Sequence, residues 1–546
     1  MYAAFIDFKK AYDTVNRDTL LQNLKEYGIN GRIWENVKSI YKSVQYSIKI
    51  KDKMMNPISS NLGLKQGCPL SPLLFNLYVN NITQYLHPTD EDSITIHDQK
   101  ITHFMYADDL VIVSASRDGL QDKLDKLGEF ADTKDLTVNT KKSQVMIFNK
   151  SGKLLKDKLT IKGNRLEIVQ KYTYLGVDIP ASGSFSTSIK ELTSKAKKAM
   201  MPLFTTIMKF NIPYRTAIRL FQTYIEPILL YNAENQTAMT DGQITKCLQD
   251  NSHIYHLQQI SPLTTTQLKF TKFVLGVGKC CPNMAIFGES AKIPFLARAH
   301  IHILKFWHRI KNLEETTLVN KAYRENITLN TNWCRTIQVL NAKYNLHAGR
   351  EPDDFPGTVK KVITSDFTRY WRSRIDDPAI ERKLSLYAKT KQKFEINTYT
   401  DLPFRDRQMI SKFLCVSHRL HVETGRHQKT PRENRICQLC TLNKVEDEEH
   451  FILECPAYSK IRTKHFNNGQ IDIRQAIDQE PLALATFLRD SYKLRDELLE
   501  EQPTETYHVA HRRKLKLTIR KGPKTSRVCN VAKDGLKVKI RNNSLI

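Results

Sequence analysis

The spacing of hydrophobic positions changes along this chain, and the change divides it. Tyr2 to Phe8 is an apolar run broken only by Asp7, which predicts a buried strand carrying one carboxylate. Leu20, Leu21, Leu24 and Tyr27 then recur at helical spacing until Gly28 stops them. After Gly63 and Gly67, Ser71-Pro72 reads as an N-cap followed by proline at the first helical position. Phe75, Tyr78, Val79, Ile82 and Leu86 form the apolar stripe of that helix, which is expected to pack under the first strand. Phe104 to Tyr106 and Leu110 to Val113 read as the arms of a hairpin with Ala107, Asp108 and Asp109 at its tip. A helix with Leu120, Leu124, Leu127 and Ala131 on one face follows. Short strands are predicted at Leu136 to Val138, Val145 to Phe148, Leu159 to Ile161, Leu166 to Val169 and Tyr172 to Val177. From about residue 181 the pattern becomes mostly helical, so the chain reads as an α+β module followed by helices.

Length and charge add to this picture. At 546 residues the chain is long for one core and predicts two to four domains. Lys and Arg total 84 against 57 Asp and Glu, a formal net charge of +27, which favours a polyanionic partner. Part of the excess is local. Residues 181–230 hold seven Lys or Arg against two Glu, and 511–546 hold twelve against Asp534 alone. The expected units are 1–180, a basic helical region at 181–345, a linker at 346–358, a helical region at 359–470, and a helical segment with a basic tail at 471–546. No run approaches the roughly 18 apolar residues of a membrane span, and Met1 opens directly into Tyr-Ala-Ala-Phe-Ile-Asp. The expectation is an intracellular, soluble protein without a membrane partner.

Two groups of residues carry candidate chemistry. Asp7 lies in an apolar strand that has no local use for a charge, and Asp108 and Asp109 repel one another at a turn. An isolated Asp-Asp pair is ordinarily a solvated turn. Three carboxylates from neighbouring strands, however, are what a two-magnesium site uses to clamp the attacking and leaving oxygens of a phosphoryl displacement. The second group is Cys437-x2-Cys440-x9-His450-x4-Cys455, three thiolates and one imidazole suited to a tetrahedral structural zinc. Free cysteines in a helical core are the alternative for this group. The Cys280-Cys281 pair reads as ordinary packing.

Read together, Phe5 to Val15 (FIDFKKAYDTV), Gly63 to Pro72 (GLKQGCPLSP) and Phe104 to Asp109 (FMYADD) resemble motifs A, B and C of reverse transcriptases, most closely those of non-LTR (LINE-type) retrotransposons. Leu136 to Asn139 with Lys142-Ser143 resembles motif D, and Tyr172 to Gly176 resembles motif E. The resemblance implies a palm, with an antiparallel sheet and packed helices, over 1–180 and a helical thumb behind it. The Cys/His group is similar to the C-terminal CCHC element of such open reading frames. By carry-over, Asp7, Asp108 and Asp109 are the catalytic, magnesium-binding aspartates, and Tyr12 is the aromatic gate that selects deoxynucleotides. Gln66 and Gly67 support the incoming nucleotide and template, and Lys142 assists the pyrophosphate leaving group.

The implied activity is RNA-directed DNA polymerisation for target-primed reverse transcription, with two Mg2+ and one Zn2+. The implied partners are template RNA, primer or target DNA, and dNTPs, and the implied location is the nucleus and a cytoplasmic ribonucleoprotein. Motif A begins within a few residues of Met1, so the fingers that normally precede it, and any upstream endonuclease, are expected to be missing. A catalytically inactive nucleic-acid-binding remnant is therefore the alternative reading. An RNA-dependent RNA polymerase would share the carboxylates but would not favour a bulky Tyr12.

Overall fold

A computed structural model describes residues 1–86, 92–346, 354–377 and 382–500. Most of the expected linker (347–353) and the whole basic tail (511–546) lie outside them.

The first unit is built on a five-stranded sheet. Its strands are β1 (Tyr2–Ile6), β2 (His103–Tyr106), β3 (Asp109–Ser114), β4 (Gln144–Ile147) and β5 (Glu167–Val169), in the spatial order β5-β4-β1-β3-β2. Every pairing is antiparallel except β4 with β5, so the expected antiparallel sheet is mixed at one edge. Strand alternation gives β1 two apolar faces. Ala4 and Ile6 join one core with helices α1 (Arg17–Glu26), α2 (Ser71–Val79) and α3 (Arg117–Thr133). Ala3 and Phe5 face a second core, with Val111, Val113 and Met146. That side is covered by the hairpin of β6 (Lys171–Tyr174) and β7 (Val177–Pro180), whose Tyr172 stacks on Phe5 with ring centroids 4.0 Å apart.

Local details refine the expected elements. Ser71 is the first residue of α2 rather than its cap, and its hydroxyl donates to the Lys65 carbonyl at 2.6 Å. The expected stripe from Phe75 to Leu86 is divided, because α2 stops at Val79 and a short helix, Ile82–Tyr85, resumes after Asn80 and Asn81. The strand expected at Leu136 to Val138 reduces to a single bridge, Val138 to Phe8.

Behind the sheet the described residues are helical, beginning with α4 (Ser186–Lys209). One continuous core runs from Ala196 to Tyr492, so the regions expected at 181–345, 359–470 and 471–500 share a single core. The reason is visible just after the expected linker. Helix Phe355–Asp376 buries Phe355, Val359, Ile363, Phe367, Trp371 and Ile375, one residue every fourth position. The final described helix, α5 (Pro481–Glu500), packs into the same core. No helix among the described residues is long and apolar enough to cross a membrane.

Candidate functional site

The sheet register sets the carboxylates. Phe5 pairs with Val111 and Ile6 with Leu110, so one further step places Asp7 opposite Asp109, on the face that carries Phe5 and Val111. Pairing of β2 with β3 continues to Tyr106 and Asp109. The turn is therefore only Ala107-Asp108, with Ala107 at φ 54°, the left-handed conformation that a tight hairpin turn needs and that usually falls to glycine. Asp109 is thus a strand residue and Asp108 a turn residue, a distinction that the three-residue tip expected from sequence did not make.

The surroundings follow this division. Partial burial, followed by the negative charges of Asp108 and Asp7, holds the Asp109 carboxyl above its ordinary range. Tyr172 and Tyr174 overlie Asp109. Their phenols are pushed up by burial and then by its charge, and the Tyr174 hydroxyl donates to the Asp109 carbonyl at 3.3 Å. Asp108 instead acts on Tyr12, whose phenol is raised by burial first and by Asp108 second. The Tyr12 ring stacks on Phe75 at 4.5 Å, which fixes its plane.

Asp7 is fixed by a segment far away in sequence. Its backbone N–H donates to Ser143 Oγ at 3.0 Å, its carbonyl accepts from Asn139 N–H at 2.8 Å, and its Oδ2 accepts from Asn139 Nδ2 at 2.9 Å. Lys142 Nζ, largely exposed, lies 4.0 Å from the same Oδ2. Asn139 and Ser143 belong to the motif D resemblance, which assigns them no role. The signal was their position beside Lys142, but their contacts with Asp7 arise only in the folded chain.

Gln66 and Gly67 lie on an exposed turn. Gln66 Nε2 donates to Asp13 Oδ1 at 3.0 Å, and Gly67 has φ +82° with open space where a Cβ would stand. The turn borders a cavity of about 520 Å³ lined by Asp13, Tyr46, Leu64, Lys65 and Gln66, among others.

The four Cys/His residues come together more tightly. Their ligand atoms all lie within 4.8 Å of one another. The Cys437 and Cys455 sulfurs are 3.9 Å apart, and Cys440 Sγ is 3.4 Å from His450 Nε2. A tetrahedral zinc with Zn–S of about 2.3 Å and Zn–N of about 2.0 Å needs S···S of about 3.8 Å and S···N of about 3.5 Å, so the set fits one ion. The other imidazole nitrogen, Nδ1, lies 3.3 Å from Glu454 Oε2, which orients the ring so that Nε2 faces the sulfurs. The hydrogen bond between the two buried thiols pushes the Cys437 thiol up and the Cys455 thiol down.

The local fold is a short loop joined by the Ile436–Val445 bridge and a π-helical turn, His450–Glu454. The Arg495 guanidinium on α5 clamps this loop, with two 2.7 Å bonds to the buried Glu446. Cys281 is buried and donates to the Cys415 carbonyl at 2.9 Å, while Cys280 is exposed.

Comparison with known proteins adds a family. Residues 1–179 match the model described as reverse transcriptase (RNA-dependent DNA polymerase). The chain is 23% identical over 249 residues to a retrovirus-related Pol polyprotein from type-1 retrotransposable element R2 of Popillia japonica, covering 44% of this chain and 40% of that protein. It is 27% identical over 199 residues to the Nasonia vitripennis counterpart, covering 35% and 19%. The chain thus spans less than half the length of these relatives. A solved apo telomerase from Candida tropicalis aligns at 13% identity and a TM-score of 0.26, covering 59% of this chain and 52% of that one, a likeness too loose to bear on the fold.

Proposed function

We propose that residues 1–179, which match the reverse transcriptase model and resemble R2 retrotransposon Pol polyproteins, form a reverse transcriptase domain of the non-LTR retrotransposon kind, and that the chain copies RNA into DNA by extending a primer 3′-hydroxyl. The observation that carries this reading is the meeting of Asp7 and Asp109 across β1 and β3, with Asp108 at the turn beside them. Burial and the charges of Asp108 and Asp7 together raise Asp109, and bound cations would offset both, so Asp7, Asp108 and Asp109 would hold two magnesium ions. When bound, the ions would lower the pKa of the primer hydroxyl and offset the charge developing on the α-phosphate of a dNTP.

The chain's own residues supply the positioning. Asn139 and Ser143 fix the Asp7 main chain and carboxylate, so the attacking group would meet a ligand of set orientation. Tyr12, held flat against Phe75, would crowd the 2′ position and favour deoxynucleotides. Lys142, 4.0 Å from Asp7, would meet the charge of the departing pyrophosphate. Cys437, Cys440, His450 and Cys455 would hold one zinc in a purely structural role, since all four positions are filled by protein. Template RNA, primer or target DNA and dNTPs would be the partners, and the nucleus the place of action.

Mg2+-dependent primer extension on an RNA template tests the reading. The chain is expected to incorporate dNTPs and Asp108→Ala to abolish incorporation, whereas synthesis that survives Asp108→Ala sinks the site. Equal use of ribonucleotides would move the reading to RNA synthesis. Salt-sensitive RNA binding without synthesis would favour an inactive binding protein, which the net charge of +27 equally suits.

A further inference from the structure

Arg17, the first residue of α1, is 7% exposed, yet its guanidinium faces main-chain carbonyls rather than a carboxylate. Nε donates to Gly63 O at 2.9 Å, Nη1 to Ser60 O at 2.5 Å and Tyr41 O at 3.3 Å, and Nη2 to Leu62 O at 2.8 Å. Ser60 is the last residue of a short strand paired with Val44–Tyr46, and Leu62 and Gly63 lead from it into Gln66 and Gly67. Beyond Ser60 the segment pairs only through the Leu62–Asn16 bridge, and its carbonyls would be costly to bury unmet. A planar fork with five donors suits several acceptors at fixed angles, and a lysine ammonium does not.

The same segment is tied to the residues around Tyr12 in other ways. Gly63 N–H donates to Val15 O and Leu64 N–H to Tyr12 O, both at 2.8 Å, and the Gln66 amide donates to Asp13. Gly63 sits at φ +80°, and a Cβ there would stand 2.6 Å from the Asp13 carbonyl oxygen, so the two segments touch backbone to backbone.

We propose that Arg17 is a positioning residue that holds segment 60–67 against segment 12–17, and so sets the separation between Tyr12 and Gln66, the latter lining the 520 Å³ cavity with Asp13. Arg17 touches neither the carboxylates nor a reacting atom in this arrangement. Its loss is expected to act on nucleotide affinity and on discrimination against the 2′-hydroxyl, while leaving the chemical step alone. This second half rests on the polymerase reading above; the first half does not.

The test compares the full chain with Arg17→Lys, which keeps the charge and loses the fork, and with Gly63→Ala, which displaces the same segment from the opposite side. Amide hydrogen exchange at Gly63 and Leu64 is expected to speed up about tenfold or more in both variants, with amides of β1 and β3 unchanged. In primer extension with dTTP, KM is expected to rise about tenfold with kcat held within about twofold, and the preference for dTTP over UTP to fall.

Unchanged exchange at Gly63 and Leu64 in Arg17→Lys overturns the proposal, as does a fall in kcat with KM unmoved. Should Arg17→Lys fail to fold, Gly63→Ala carries the same expectation. If the parent chain neither binds dTTP nor makes DNA, the polymerase reading fails, and exchange still decides whether Arg17 holds the segment.

Discussion

Two ligand sets in this molecule are assembled in opposite ways. Cys437 and Cys455 are 18 positions apart, with both other ligands between them, and all four close to mutual distances within 4.8 Å in a core clamped by α5. The carboxylates come from the residue just after β1 and from a hairpin about a hundred residues later, and the groups that fix Asp7 lie 132 and 136 positions away. The Cys/His set is largely buried and all four of its candidate ligands come from the protein, while the carboxylates stand at the end of a sheet, where Asp108 and Asp7 both act on Asp109. Closure suits an ion that stabilises the fold; an open, repelling set suits ions that arrive with a substrate.

The contrast can be broken first at the carboxylates. Asp7→Asn is expected to lower primer extension by about 10²- to 10⁴-fold, the loss of several kcal/mol of transition-state stabilisation, with little change in thermal unfolding. A variant that keeps its rate but unfolds early would reverse the assignment.

Zinc removal is expected to do the converse. With free zinc about a thousandfold above its Kd, linkage supplies about 4 kcal/mol, so chelation or Cys455→Ser should lower the thermal midpoint. It should also open hydrogen exchange over 436–456 and α5 before the sheet. A chelator that leaves both unchanged would remove zinc from the description.

The smallest expected effect is at Asp109. A carboxyl held above its ordinary value in the folded chain keeps protons that the unfolded chain has already released. Stability of the metal-free protein should therefore decline as the pH rises from the ordinary carboxylate range through the raised value of Asp109. Asp109→Asn is expected to flatten that slope in thermal unfolding as the pH rises from the ordinary carboxylate range, and Mg2+ to offset it in the parent. A slope unaffected by either would show that Asp109 is not under charge strain.

Much of both sites was legible in the chain. The Cys/His set was readable because its spacing is local and the loop closes on itself, bridged by Ile436 and Val445. Asp7 was conspicuous as a charge inside an apolar strand. The place of Asp109 was not, because it depends on β2 and β3 pairing one step further than alternation indicated. Arg17 was equally hidden. In sequence it is one basic residue at the start of an amphipathic helix, and nothing local shows that four carbonyls will surround it.

By itself the sequence determined most of the strands and helices, the order of the motifs, the excess of positive charge and the identity of the candidate ligand side chains. Each of these follows from residue type and spacing over a few turns or a few strand positions. Tertiary structure decided that Asp7 follows β1 on the side of Phe5, that Asp109 rather than Asp108 stands opposite it, and that Asn139 and Ser143 hold it. It also joined the helices from Ala196 to Tyr492 into one core. The reason is common to all of these. Strand register and helix docking are set by burial summed over segments distant in the chain, and a hydrogen bond between residues more than a hundred positions apart has no local trace.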